Sequence, residues 1–165
     1  MQHIPKSSQD GFTLIETVVA TGVLVTALAG VAQLLVLSVR SAREADVQGA
    51  ALIAAQGKVE VLRSLVFAYG PSRQPVTDAG LTSSPSQCLS ENVPGFVDFL
   101  DADGMVMETG GGRGVAFTRR WRVMPIDHFE PEAIAVEVCV FRGSGDGLTP
   151  ASADACLATV LVRQP

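Results

Sequence analysis

One long apolar run dominates the first quarter of the chain. Thr17 to Val39 comprises 23 residues without a charged side chain. As an α-helix this run spans about 34 Å, which exceeds the bilayer hydrocarbon core of about 30 Å. The pattern predicts a transmembrane helix over residues 12–39. Residues 1–11, short and polar, are typical of a leader peptide.

After Arg40 the pattern becomes amphipathic. Apolar side chains recur at alternating spacings of three and four, which places them on one helix face: Leu52, Ala55, Val59, Leu62, Val66 and Tyr69. No proline follows the apolar run until Pro71. We therefore expect one continuous helix from about Phe12 to about Phe67. Its second half would pack on a globular domain, so that residues 40–165 form an amphipathic helix plus a head.

The head is predicted to contain a small antiparallel sheet. The Ser- and Pro-rich stretch from Pro71 to Pro94 predicts a loop with at most a short helical turn. Beyond it, Phe96–Leu100 and Met105–Glu108 predict a hairpin, and three longer strands follow: Val115–Met124, Ile134–Phe141 and Leu157–Arg163. Turns are predicted around Pro125–Pro131 and Gly143–Pro150. A long helix covering one face of such a meander is an α+β fold.

An acidic residue stands at the edge of the apolar run. Glu16 is costly there, because a carboxylate at the centre of a membrane helix costs roughly 2.5 to 3.5 kcal/mol on insertion scales. Cleavage between Gly11 and Phe12 would create an α-amino group one helical turn from that carboxylate. The new amine could pair with Glu16 of the same chain or of a neighbour, and pairing between neighbours would set an axial register.

The string Gly11-Phe12-Thr13-Leu14-Ile15-Glu16 resembles the processing motif of the type IV pilin and type II secretion pseudopilin superfamily at every position. The resemblance covers the leader and the first helix. It implies that a membrane prepilin peptidase cuts after Gly11 and N-methylates Phe12. It also implies that Glu16 guides subunit docking, and that the apolar helix moves from the inner membrane into a filament core.

A second resemblance narrows the expected role. The helix segment from Ala54 to Leu65 and the strand residues Arg120 to Val123 are similar to those of PilV-type minor pilins and of I-type pseudopilins. We therefore expect a structural subunit rather than an enzyme, with a type II secretion pseudopilin as the alternative. The implied partners are other pilins, the peptidase, an inner-membrane assembly platform and membrane lipid. Many major pilins carry a proline within the apolar run, where this chain has Gly22 and Gly30.

Three cysteines lie in the head. An antiparallel hairpin could bring Cys139, in the middle strand, close to Cys156, at the start of the last strand, and an oxidising periplasm would allow a disulfide. That pair leaves Cys88 free. The rival pairs, Cys88 with Cys139 and Cys88 with Cys156, and a fully reduced head remain alternatives.

Composition argues against several other functions. The net charge is -5, with no basic stripe, so nothing predicts nucleic-acid binding. His3 and His128 lie in the leader and in a turn, which leaves no catalytic set to assemble. The acidic residues around Gly104 lack the calcium-loop spacing, so a solvated turn is expected and no metal or cofactor is predicted.

A signal anchor for an unrelated periplasmic domain, or a cleaved secretory signal, would also produce the apolar run. Neither explains Glu16 or the short polar leader. The flanking charges fit the positive-inside rule poorly, since Lys6 precedes the run while Arg40 and Arg43 follow it.

Overall fold

The computed structural model describes residues 13–107, 112–127, 132–143 and 148–165. One helix, α1 (Leu14–Arg63), precedes six strands: β1 (Phe67–Tyr69), β2 (Pro75–Thr77), β3 (Val97–Leu100), β4 (Phe117–Ile126), β5 (Ala133–Arg142) and β6 (Ala155–Val162). Residue contacts divide the chain into two units, one ending at Glu44 and one from Ala45 to Pro165. Helix α1 contributes its first part to the first unit and its last part to the second.

The second unit is an α+β domain, as the sequence predicts. Its main sheet is antiparallel with strand order β3-β4-β5-β6, and β1 and β2 form a separate two-stranded sheet. The end of α1 packs on the main sheet through Ala51, Ala55, Val59 and Leu62. Facing sheet residues include Trp121, Val136 and Val138, so the core lies between helix and sheet.

A smaller core covers the opposite face of the sheet. Cys139 and Phe141 alternate with the helix-facing residues of β5, because successive strand side chains point to opposite faces. They pack with Cys88 and Leu89, which the loop before β3 supplies. Part of the segment from Pro71 to Pro94, predicted as a loop, therefore contributes buried residues as well as β2 and a 3₁₀ turn at Ala79–Leu81.

The predicted end of the helix at Phe67 is wrong, because α1 ends at Arg63. Ser64 N–H donates to the Glu60 carbonyl and Leu65 N–H to the Leu62 carbonyl, at 3.0 and 3.3 Å, which closes the last turn. Phe67 opens β1 instead, where it pairs with Thr77 and is buried. Strand pairing thus overrides the helical periodicity once the chain reaches the edge of the head.

The predicted helix face is shifted at its two ends. Leu52 and Val66 are exposed, Tyr69 belongs to β1, and Ala51 is fully buried. The small side chains of Ala51 and Ala55 allow the helix to approach the sheet closely, which leaves the larger Leu52 at the solvent side.

Two strand predictions also need correction. Pro125 lies within β4 rather than in a turn, opposite Ile134. Within the described ranges β3 pairs only with Phe117–Arg120, so no second strand lies beside β4 at Pro125 and the missing N–H is tolerated there. The predicted return strand after Gly104 is reduced, in the part that the structure describes, to one bridge between Leu100 and Val106.

Candidate functional site

The start of α1 carries the candidate docking residue. The Thr13 carbonyl accepts hydrogen bonds from the N–H groups of Glu16 and Thr17, at 3.0 and 3.3 Å, and this forms the first helical turn. Glu16 lies in that turn and is exposed. The partial positive charge of the helix N-terminus offsets part of the cost of placing a carboxylate beside the apolar run. Gly11 and Phe12, the predicted cleavage and methylation positions, lie outside the described residues.

The three threonine hydroxyls of the apolar run are satisfied within their own helix. The Thr17 hydroxyl donates to the Leu14 carbonyl at 2.8 Å, and the Thr21 hydroxyl to the Thr17 carbonyl at 2.7 Å. Thr26 donates to the Val23 carbonyl at 2.9 Å. In hydrocarbon each unmet donor costs several kcal/mol, so these bonds suit the helix to an apolar medium.

The apolar side chains of this part of α1 are exposed on every side. Leu14 is 83% exposed, and most of the large apolar residues from Ile15 to Val39 expose more than half of their surface. Soluble monomers rarely expose contiguous apolar patches above a few hundred Å². Among the described residues, α1 is the one helix long and apolar enough to cross a membrane. The helix is compatible with membrane anchoring.

Gly22 and Gly30 lie in this exposed stretch without breaking it. A Cβ built at either position would meet no heavy atom within 4 Å, and α1 is assigned as one helix through both. Glycine removes side-chain bulk, so it permits another helix to approach closely at these two points. This part of α1 therefore has room for such a contact.

A charged cluster joins the end of α1 to the sheet. Lys58 Nζ lies 3.1 Å from Asp98 Oδ2, and Arg119 donates to the same oxygen from Nη2 at 2.6 Å. Arg119 Nη1 also donates to the Ala54 carbonyl at 2.9 Å. The Lys58 ammonium lies over the Trp121 ring. Burial lowers the pKa of Lys58 from its usual 10.5, and Asp98 opposes that shift.

Arg163 ties the β1–β2 sheet to the last residues of the chain. Its side chain is 6% exposed, and it pairs with Glu132 at 2.8 Å. Nη1 donates to the Ala68 and Val76 carbonyls at 3.2 and 3.0 Å, and the guanidinium lies 4.1 Å from the centroid of the Phe67 ring. The backbone of Gln164 bonds to Phe67 and Tyr69 beside it. Arg163 thus links β1, β2 and Glu132, the residue just before β5.

The residues of these two clusters were not predicted from the sequence. A signal was available for each. Lys58 is the sole lysine after Lys6, and it stands among apolar helix positions. Arg163 follows a strand without charged residues. Partners such as Asp98 and Glu132 are distant in the chain, and no local pattern relates them.

The structure joins Cys139 to Cys156 by a disulfide, the pair favoured from the sequence. The two residues stand directly opposite each other in the β5–β6 register. Cys88 is a free, buried cysteine. The bond fixes β6, an edge strand, to the middle of the sheet.

The acidic turn near Gly104 has a structural use. Asp101 Oδ1 accepts hydrogen bonds from the backbone N–H groups of Asp103 and Met105, each at 2.9 Å. Within the described ranges, no group of three or more His, Cys, Asp or Glu side chains could hold a metal ion. Glu108 and His128 lie outside those ranges.

Comparisons with protein-family models, with curated proteins and with solved structures each find no match.

Proposed function

We propose that this chain is a minor type IV pilin-like subunit, a structural component of a filament assembled from the bacterial inner membrane. The exposed, uncharged stretch of α1 carries the proposal. It needs an apolar environment, either lipid or other helices, and its three threonine hydroxyls already donate to carbonyls of the same helix.

The second support is Glu16 at the start of that stretch. It is the sole acidic residue between Phe12 and Arg43, and it is exposed in the first turn of α1. Cleavage after Gly11 would leave Phe12 with a free, and then methylated, α-amino group. That cation in one subunit would pair with Glu16 of its neighbour, since an unpaired carboxylate is disfavoured in an apolar helix bundle.

The sequence of events then follows from the two environments of the helix. The precursor resides in the inner membrane with its head in the periplasm, and the membrane prepilin peptidase cuts it after Gly11, at the other end of the apolar helix. An assembly platform would transfer the helix from lipid into the filament core. The head domain, fixed to the end of α1 by Lys58, Asp98 and Arg119, remains at the filament surface.

Incorporation of Glu16 variants into filaments tests this proposal. Glu16→Ala and the isosteric Glu16→Gln would be produced in the source organism, and protein in sheared filaments would be compared with protein in membranes. Both variants are expected to be processed and retained in the membrane, with incorporation reduced at least about tenfold, the effect of 1.4 kcal/mol. Glu60→Gln, an exposed carboxylate near the end of α1, is the matched control and should assemble normally. Normal incorporation of both Glu16 variants would contradict the docking role.

A further inference from the structure

A free thiol and a disulfide share the smaller core of the head. Cys88 has no exposed surface and clusters with Leu89, Cys139 and Phe141. Cys139 is equally buried. Its bonded partner Cys156 is exposed on β6. The disulfide therefore has one sulfur facing the core that contains Cys88, and the other near the surface.

Two polar anchors fix the segment that carries Cys88. Arg120 stands directly opposite Cys139 in the β4–β5 register, and its Nη1 donates to the Leu89 carbonyl at 3.3 Å. Cys88 Sγ donates to Ser84 Oγ at 3.4 Å, and Ser84 Oγ accepts from the Val123 N–H at 3.0 Å. These bonds hold Cys88 over the same part of the sheet as Cys139.

We propose that Cys88 can exchange with the Cys139–Cys156 disulfide. The Cys88 thiol first loses its proton to water, and its Sγ attacks Sγ of Cys139. The Cys139–Cys156 bond breaks as a Cys88–Cys139 bond forms. The electron pair of the broken bond goes to Cys156 Sγ, which takes up a proton. One thiol and one disulfide exist before and after, so the step needs no oxidant or reductant.

The exchange moves the thiol from the core to the surface. It releases β6 from its cross-link to β5 and ties the loop before β3 to β5 instead. Because Cys156 lies on an edge strand, its thiol becomes accessible to a disulfide on a neighbouring protein, whereas Cys88 is shielded. The head thereby carries a latent covalent attachment point.

The variant Cys156→Ser tests whether Cys88 and Cys139 can bond. The full chain would be purified in detergent, treated with oxidised glutathione and mapped by non-reducing peptide mass spectrometry. A Cys88–Cys139 cross-link is expected. Cys139→Ser is the matched control, because it removes the sulfur that the proposal pairs with Cys88. In that variant no cross-link to Cys88 should form, with Cys156 recovered as a glutathione adduct and Cys88 as a thiol after denaturation. Alkylatable thiols or glutathione adducts at Cys88 and Cys139 in Cys156→Ser would overturn the proposal.

The wild-type protein gives a second, independent readout that does not depend on the folding of a variant. It would be incubated in detergent at mildly alkaline pH, labelled with maleimide under native conditions, quenched in acid and mapped. Label on Cys156 that increases with time, together with a Cys88–Cys139 peptide, is expected. Label confined to Cys88 after denaturation, with Cys139–Cys156 intact at every time point, would overturn the exchange.

Discussion

The Lys58 ammonium lies 3.5 Å from the centroid of the Trp121 ring and 3.1 Å from Asp98 Oδ2. Lys58 thus links α1 to β3 through Asp98 and to β4 through Trp121. Arg119 shares the same carboxylate oxygen, so two cations compete for one anion in a mostly buried place. This arrangement makes the attachment of α1 to the head sensitive to charge.

Lys58→Met is expected to change how stability depends on pH. Burial lowers the pKa of Lys58 below 10.5, so between the lowered value and 10.5 the unfolded chain binds more protons than the folded chain. The free energy of unfolding of the wild type therefore rises with pH through that window, and this gain is lost as pH falls through the lowered pKa. Lys58→Met removes this pH dependence.

Urea unfolding of wild type and Lys58→Met across this alkaline range measures the difference directly. The wild-type curve should rise relative to that of the variant. Because Lys58 is the sole lysine after Lys6, amine-reactive labelling supplies a check on its protection in the folded state. Parallel curves would show that burial does not perturb Lys58.

Arg163→Lys is expected to destabilise the head by about 2 kcal/mol, since a lysine keeps the charge beside Glu132 but cannot replace the several hydrogen bonds of the buried guanidinium. The loss should concentrate at β1, where hydrogen exchange at Phe67 and Tyr69 should accelerate. Arg63→Lys, which alters an exposed pair with Glu60, is the control and should change stability by less than about 1 kcal/mol. Equal effects of the two substitutions would contradict the role given to Arg163.

Removal of the disulfide by Cys139→Ser together with Cys156→Ser should lower the free energy of unfolding by about 3 kcal/mol, from the entropy of a loop of this length. Thermal unfolding of the double variant against wild type gives the measurement. Cys88→Ser serves as a control that leaves the bond intact. A double variant as stable as wild type would mean that the bond does not restrain the unfolded chain.

The sequence predicted the α+β class because its strongest signals are local. An uncharged run, a helical spacing and three β-rich segments each act over a few residues. The end of α1 was misplaced because Phe67 is held by Thr77 and Gln164, which lie far along the chain. The Lys58 and Arg163 clusters were missed for the same reason.

The same distinction between local signals and contacts distant in the chain applies to the candidate site. Glu16 could be singled out because a carboxylate beside an apolar run is a local anomaly. Strand order and turn positions favoured the pairing of Cys139 with Cys156 but left its rivals open, and the β5–β6 register brings the two residues together. The position of Cys88 in the core with Cys139 depends on how the loop before β3 folds onto the sheet, and no periodicity encodes that.

The mass of the mature N-terminus tests the central claim most directly. Full-length protein would be expressed in the source organism, extracted from membranes and from sheared material, and analysed by intact and N-terminal peptide mass spectrometry. Gly11→Leu is the matched variant, because a bulky residue before the cut should block processing and leave a precursor in the membrane. A wild-type chain that begins at N-methylated Phe12, with Gly11→Leu uncut, is the predicted result. A mature wild-type chain that retains Met1, or normal processing of Gly11→Leu, would contradict the assignment.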